Sequence, residues 1–258
     1  MERPPKKSTR ICGATEDRIE VRGKDLVDEL MGQISFTEMF LFQLLGAAPS
    51  AMQVNIADAV LVAIMEHGLV PSVLASRFTL LGAPESYQGA VAAGLLGVGD
   101  RFAGTASECA LLLDRVARAP AAERQQAALG EVEAHRRERR PLPGFGHPTH
   151  KAADPRVARL FAIARAAGAG GEFIAAVHLL EQAMLQVVGR PVPANVSSAI
   201  AAALLEAGLP AEVMRGVVLV ARCAGLVGHL HEESSRPMAQ DMWKLVEREF
   251  PYEPETEP

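Results

Sequence analysis

The chain has 258 residues, 49% of them apolar and 22% charged, with a formal net charge of -5. That is enough apolar length for a sizeable core in one large domain or two small ones, and the acidic balance excludes nucleic acid as the main partner. Aromatic residues make up only 5% while alanine and leucine are abundant, a composition that favours packed helices over sheets. Cys12, Cys109 and Cys223 are widely spaced and odd in number, so they are expected as reduced thiols of a cytoplasmic protein. Residues 1–10 are basic without an apolar run, so no signal peptide is expected. No stretch reads as the ~20 apolar residues of a membrane span.

In chain order, residues 1–10 and 251–258 read as tails too polar to bury surface. Residues 11–23 are expected to form a short extended pair punctuated by Gly13 and Gly23. From Lys24 the chain is expected to be helical. Phe36 to Leu45 is an apolar helix with Ser35 as its cap and Gly46 as its stop, and Ser50 caps a second helix running to about Glu66. Further helices are predicted near 72–82, 87–97, 104–118, 120–138, 155–168, 171–188, 196–207, 211–229 and 238–249. With no convincing alternating run and no internal repeat, the fold class is all-α.

The motif richest in chemistry is Pro143-Gly-Phe-Gly-His147-Pro-Thr-His150, followed by Asp154-Pro-Arg156. Two glycines around Phe145 let backbone approach a ligand closely. His147 is able to exchange a proton near neutral pH, and Arg156 carries the planar fork that grips carboxylates. The combination points to an enzyme that holds a polycarboxylate and moves protons on it. Just upstream, Arg136, Arg137, Arg139 and Arg140 form either a solvated charged face or a set of phosphate contacts. Glu66-His67-Gly68 closes a helix, where a histidine serves either the helix dipole or catalysis. Gly94-Leu-Leu-Gly97-Val-Gly99 has neither dinucleotide nor phosphate-loop spacing. Arg222 sits inside an apolar helix, where a charge is costly unless paired. It is either salt-bridged to a helix neighbour or a carboxylate clamp, and Arg236 is a second clamp candidate. His229 and His231 lie two apart and share no helix face, so no metal site is expected there or at His147 and His150.

Taken together in this order, the motifs resemble the citrate synthase superfamily, and within it citryl-CoA lyase and the citrate synthase-like module of ATP-citrate lyase. The resemblance runs from about Met31 onward. Its carriers are Gly-Phe-Gly-His147 with Asp154-Pro-Arg156, Glu66-His67-Gly, Gly99-Asp-Arg-Phe102-Ala-Gly, Ala221-Arg222-Cys-Ala-Gly225-Leu-Val-Gly-His229 and Arg236-Pro237. It implies a large helical domain (24–105 plus 215–250) with an inserted small helical domain (106–214), an N-terminal tail and short extended segment (1–23), a C-terminal tail (251–258), and an obligate-type homodimer. It further implies that His147 touches the oxygen alternating between ketone and alkoxide, and that His67 bonds a carboxylate or carbonyl oxygen. Arg156, Arg222 and a partner-chain Arg236 would hold carboxylates, and Leu142, Pro143, Gly144, Phe145 and Gly146 would lie against CoA. The expected partners are a CoA thioester and a di- or tricarboxylate, with no tightly bound cofactor, no metal and no membrane.

Two departures shape the functional expectation. Phe102 stands where citrate synthases carry the histidine that stabilises the acetyl-CoA enol, as it does in the lyase-type module. Pro193-Ala-Asn195-Val196-Ser197 stands where the family has Asn-Val-Asp, so Ser197 replaces the catalytic carboxylate and Asn195 lines the site. A serine is no carboxylate base, and a positioned acid or base contributes ~10²–10⁴-fold in rate. The expectation is therefore cleavage of citryl-CoA, or a similar 3-hydroxy-polycarboxyl-CoA, to acetyl-CoA and oxaloacetate or another 2-oxo acid. The alternatives are a lyase or hydrolase acting on a different carboxylated acyl-CoA, or an inactive CoA- or citrate-binding paralogue.

Overall fold

A computed structural model describes residues 8–146 and 153–254. The chain begins with a small antiparallel sheet, β1 (Cys12–Ala14), β2 (Ile19–Val21) and β3 (Lys24–Asp25), in that order. The expected extended pair is therefore a three-stranded sheet, and Lys24 and Asp25 are strand, not the start of helix. Asp25 is what ends the sheet. Its side chain accepts from the amides of Val27 and Asp28 and starts a π-helical turn, Leu26–Leu30. Val21, Leu30 and Phe42 pin the sheet to the first helix through a small apolar cluster.

Eleven α-helices follow among the described residues: α1 (Phe36–Leu45), α2 (Ala51–Ile64), α3 (Pro71–Gly82), α4 (Tyr87–Leu96), α5 (Thr105–Arg118), α6 (Arg124–Arg137), α7 (Pro155–Ala166), α8 (Glu172–Val188), α9 (Val196–Glu206), α10 (Met214–Ser235) and α11 (Ala239–Glu249). The fold is all-α, as composition implied. Ser35 with Glu38 and Ser50 with Gln53 form reciprocal capping boxes at α1 and α2, each satisfying orphan amides at a helix start. Gly46 ends α1 in the left-handed region at φ 74°.

α3 and α4 pack on each other and α10 crosses α2, α3 and α4, while α5, α6, α8 and α9 pack together and α7 lies on α9 and α2. One continuous apolar core joins α1, α2 and the first half of α10 to α5–α9, from Leu41 and Val60 to Leu180 and Leu204. α10 is longer than its sequence suggested, reaching Ser235 and not stopping near residue 229. With the turn before it, Ala211–Ser235 spans 25 residues and contains an 18-residue window of mean hydropathy 1.5, long and apolar enough to cross a membrane by length and composition alone. The sequence reading missed this length. In the structure α10 buries Val217, Val218, Ala221, Leu226 and Leu230 against the rest of the protein, with 39% of the apolar window buried.

Candidate active site

The glycine loop is stitched to the start of α9. Phe145 bridges Ala194 as an isolated antiparallel pair, the Gly146 amide donates to the Pro193 carbonyl at 2.8 Å, and the Asn195 amide donates to the Gly144 carbonyl at 2.9 Å. Asn195 caps α9 by accepting from the Ser197 amide at 2.9 Å, and its Nδ2 donates to the Gly146 carbonyl at 2.7 Å. Gly144 is obligatory. Its φ is +85°, and a Cβ there would lie 2.5 Å from Ser198 Oγ and 2.6 Å from Cys109 Sγ. Ser198 Oγ in turn donates to the Gly144 carbonyl. Burial pushes the Cys109 thiol up to about 12, opposed by its contact with Ser198.

A second thread ties α7 to the same place. Asp154, 3% exposed, caps α7 by accepting from the Arg156 amide at 3.0 Å and also accepts from the Val196 amide at 3.2 Å. One carboxylate thus joins the positive ends of two helices, where negative charge is favoured. Arg156 folds back on it with two bonds, Nε to Oδ1 at 3.0 Å and Nη2 to Oδ2 at 2.8 Å. Among the described residues its Nη1 makes no hydrogen bond.

α10 and the end of α2 supply the rest. Gly225 lets the α2 terminus come close, because a Cβ there would collide with the Met65 carbonyl. That approach brings Glu66 into electrostatic contact with Arg222. Arg222 is half-buried and makes no hydrogen bond or ion pair among the described residues. Burial lowers its pKa, the nearby Arg156 lowers it further, and Glu66 opposes both. The salt bridge to a helix neighbour, one of the two readings open for Arg222, is not formed. Two arginines within electrostatic reach of each other, one of them partly desolvated, suit an anion.

The expected site residues divide as follows. Asp154 holds Arg156 at the start of α9, where Asn195 and Ser197 adjoin the backbone of Gly144–Gly146, and Arg222 is within electrostatic reach of Arg156. His67 lies in the exposed turn after α2, its amide donating to Glu66 Oε1 at 2.6 Å. Leu142 and Phe145 are buried in the core at 6% and 9% exposure, so their side chains face away from solvent and only Pro143 and the loop backbone offer a surface. Phe102 belongs to the π-helical turn Asp100–Gly104 before α5. Arg236 is exposed at the end of α10, fourteen residues and therefore about 21 Å along the helix from Arg222. His147 lies outside the described residues, as does His150. Among the described residues no group of His, Cys, Asp or Glu is placed to hold a metal ion.

Sequence reasoning overlooked Arg77 and the role of His229. Arg77 is fully buried on α3 and donates to His229 Nδ1 at 2.8 Å and to Glu233 at 2.6 Å, with Glu232 as a third partner. The signal was present, since Arg77 interrupts an apolar helix as Arg222 does.

A family model described as citrate synthase, C-terminal domain, matches residues 11–244. No curated protein sequence matches the chain. Among solved structures, citryl-CoA lyase from Hydrogenobacter thermophilus is similar at 27% identity and a TM-score of 0.85, covering 98% of this chain and 96% of that one. The ATP citrate lyase of Methanosaeta concilii, a D541A mutant in complex with (3S)-citryl-CoA, shares the fold at 19% identity and a TM-score of 0.76, covering all of this chain and 43% of that one. Citrate synthase from Thermotoga maritima shares it at 17% identity and a TM-score of 0.64, covering 87% of this chain and 57% of that one.

Proposed function

We propose, from the premise that the chain belongs to the citrate synthase family, that it cleaves citryl-CoA to acetyl-CoA and oxaloacetate. Its likeness to a citryl-CoA lyase over nearly the full length of both chains makes it an enzyme of the citrate synthase and citryl-CoA lyase kind. The observation that carries the finer reading is Arg222, half-buried, without an ion pair among the described residues and within electrostatic reach of Arg156. Together with Arg156, which Asp154 holds in place, it suits a substrate with several carboxylates.

In this reading His147 takes the proton of the tertiary hydroxyl. Both ends of the segment that bears it, Gly146 and Asp154, are fastened to the first turn of α9. The bond between the carbinol carbon and the methylene next to the thioester then breaks. Its electron pair passes to the thioester carbonyl as an enolate, and the carbinol carbon becomes the ketone of oxaloacetate. The enolate carbon is protonated by water or through Ser197, giving acetyl-CoA. The CoA thioester is substrate, and the thioester carbonyl itself receives the electrons. Arg156 and Arg222 hold the carboxylates, His67 bonds a carboxylate or carbonyl oxygen, and the loop 142–146 lies against CoA. The assembly that goes with this reading is a homodimer in which Arg236 reaches the partner's site.

Cleavage of synthetic citryl-CoA, with oxaloacetate detected by malate dehydrogenase and NADH, tests the reading. Release of both products is expected, and His147→Ala should lower turnover about 10²–10⁴-fold at an unchanged melting temperature. Binding of citryl-CoA without oxaloacetate would overturn it. Ser197 motivates a second reading, in which the substrate is another carboxylated acyl-CoA or the protein only binds such ligands.

A further inference from the structure

We propose that His229 is a positioning residue: Arg77 fixes its tautomer, and through Glu66 it pins the His67–Gly68 turn beside Arg222. The inference rests on the reading of that turn as part of the site. An arginine only donates, so the 2.8 Å bond from Arg77 Nη2 makes His229 Nδ1 an acceptor. The ring is then neutral and carries its proton on Nε2. That nitrogen is buried and has no hydrogen bond of good direction, and its close neighbour is Glu66 Oε2 at 2.6 Å. In the proposed arrangement this short approach is its partner among the described residues. The other oxygen of Glu66 accepts from the amides of His67 at 2.6 Å and Gly68 at 3.0 Å. The chain of contacts therefore runs from a fully buried arginine to the backbone of an exposed turn.

A purely structural role explains less of this arrangement. Arg77 already has the carboxylates of Glu232 and Glu233, so it needs no histidine to balance its charge. Met65 to Leu69 are all exposed, and a surface turn needs no buried ionic anchor to form. Glu66 is also within electrostatic reach of Arg222. An uncompensated carboxylate at that point would repel a carboxylated substrate, and three donors spread its charge instead. Gly225 keeps the turn and α10 in register, since any side chain there would push Met65 away.

The test compares His229→Ala, His229→Gln and the unaltered protein. Kinetics are read on citryl-CoA, and histidine and backbone nitrogens by nuclear magnetic resonance. His229→Ala should keep its helical circular dichroism and lose about ten- to hundredfold in kcat, with a smaller change in KM, as expected when reacting groups are slightly misplaced. His229→Gln should restore most of that loss, because its amide both accepts from Arg77 and donates to Glu66. In the unaltered protein the resonance missing from His229→Gln should show the Nε2-protonated ring near neutral pH. The His67 and Gly68 amide protons, downfield through their carboxylate bonds, should move in His229→Ala. An Nδ1-protonated or doubly protonated ring, unmoved amides, or a kcat loss that glutamine leaves in place would overturn the proposal. If the unaltered protein does not cleave citryl-CoA, the reaction assignment fails and the resonance measurements alone decide the positioning role.

Discussion

Arg77 and Arg222 both interrupt apolar helices, and the fold treats them in opposite ways. Arg77 is sealed and its charge is met by Glu232 and Glu233, more than 150 residues away in the chain. Arg222 is left half-buried without an ion pair among the described residues. Nothing local distinguishes the two, because the partners that decide the matter come from another helix. This is why the sequence singles out Arg222 and passes over Arg77. The difference has opposite consequences for substitution. Arg222→Met should leave the melting temperature unchanged or raise it, since it removes a partly desolvated charge. It should also lower kcat/KM for citryl-CoA about ten- to hundredfold, the worth of one or two charge-assisted hydrogen bonds. A fall in stability with intact kinetics would place Arg222 in the scaffold. Ser197 is half-buried in the first turn of α9, where an acidic side chain suits the helix dipole. Ser197→Asp should therefore fold, and if the pocket is shaped for citrate chemistry it should raise condensation of acetyl-CoA with oxaloacetate. No change in that assay would favour a different acyl-CoA.

At the scale of elements, helix starts were the most legible feature. Ser35, Ser50, Pro71 and Pro155 mark starts that the structure keeps, because caps and first-turn prolines act within a few residues. Elements settled by pairing with another segment, near or far in the chain, were not legible. β3 forms because Lys24 and Asp25 meet Val21 and Glu20 across a turn. The last two turns of α10 look too polar to continue a helix, yet Glu232 and Glu233 are drawn in by Arg77. The glycine loop lies between these cases. Its glycines announce close approach, but that Gly144 presses on Cys109 and Ser198 follows only from the packing of α5 and α9. Gly144→Ala should destabilise the protein by about 3 kcal/mol, combining positive-φ strain with overpacking. Thermal unfolding measures this, and an unchanged midpoint would mean that the loop moves aside easily.

Across the whole molecule, α3, α10 and α11 are joined by Glu233. It accepts from Arg77 and, through its other oxygen, from the amides of Met238 and Ala239 at 2.9 Å each, holding the start of α11. Burial raises its carboxyl pKa, but the Ala239 and Met238 amides and Arg77 outweigh it, so the group sits below the ordinary glutamate value of 4.5. A carboxylate lowered in the folded state stabilises above its unfolded value, and that contribution is lost as pH falls through the folded value. The melting temperature should hold from neutral pH down to the ordinary glutamate range and drop below it. Glu233→Gln should cost about 3 kcal/mol at neutral pH, as for a buried pair deprived of one partner, and should make the acid decline shallower. An identical decline in the variant would assign acid sensitivity to other carboxylates.

The buried thiol beneath the glycine loop gives the protein an internal clock. Cys109 is sealed against Gly144 and Ser198, with its thiol held at about 12, so it meets an alkylating reagent only when the loop lifts from α9. Cys12 is exposed and Cys223 partly so; once these two have reacted or been replaced, the rate at which the last thiol is labelled counts loop openings. Ligands that settle on the loop would slow that count, and ligands that bind elsewhere would leave it running.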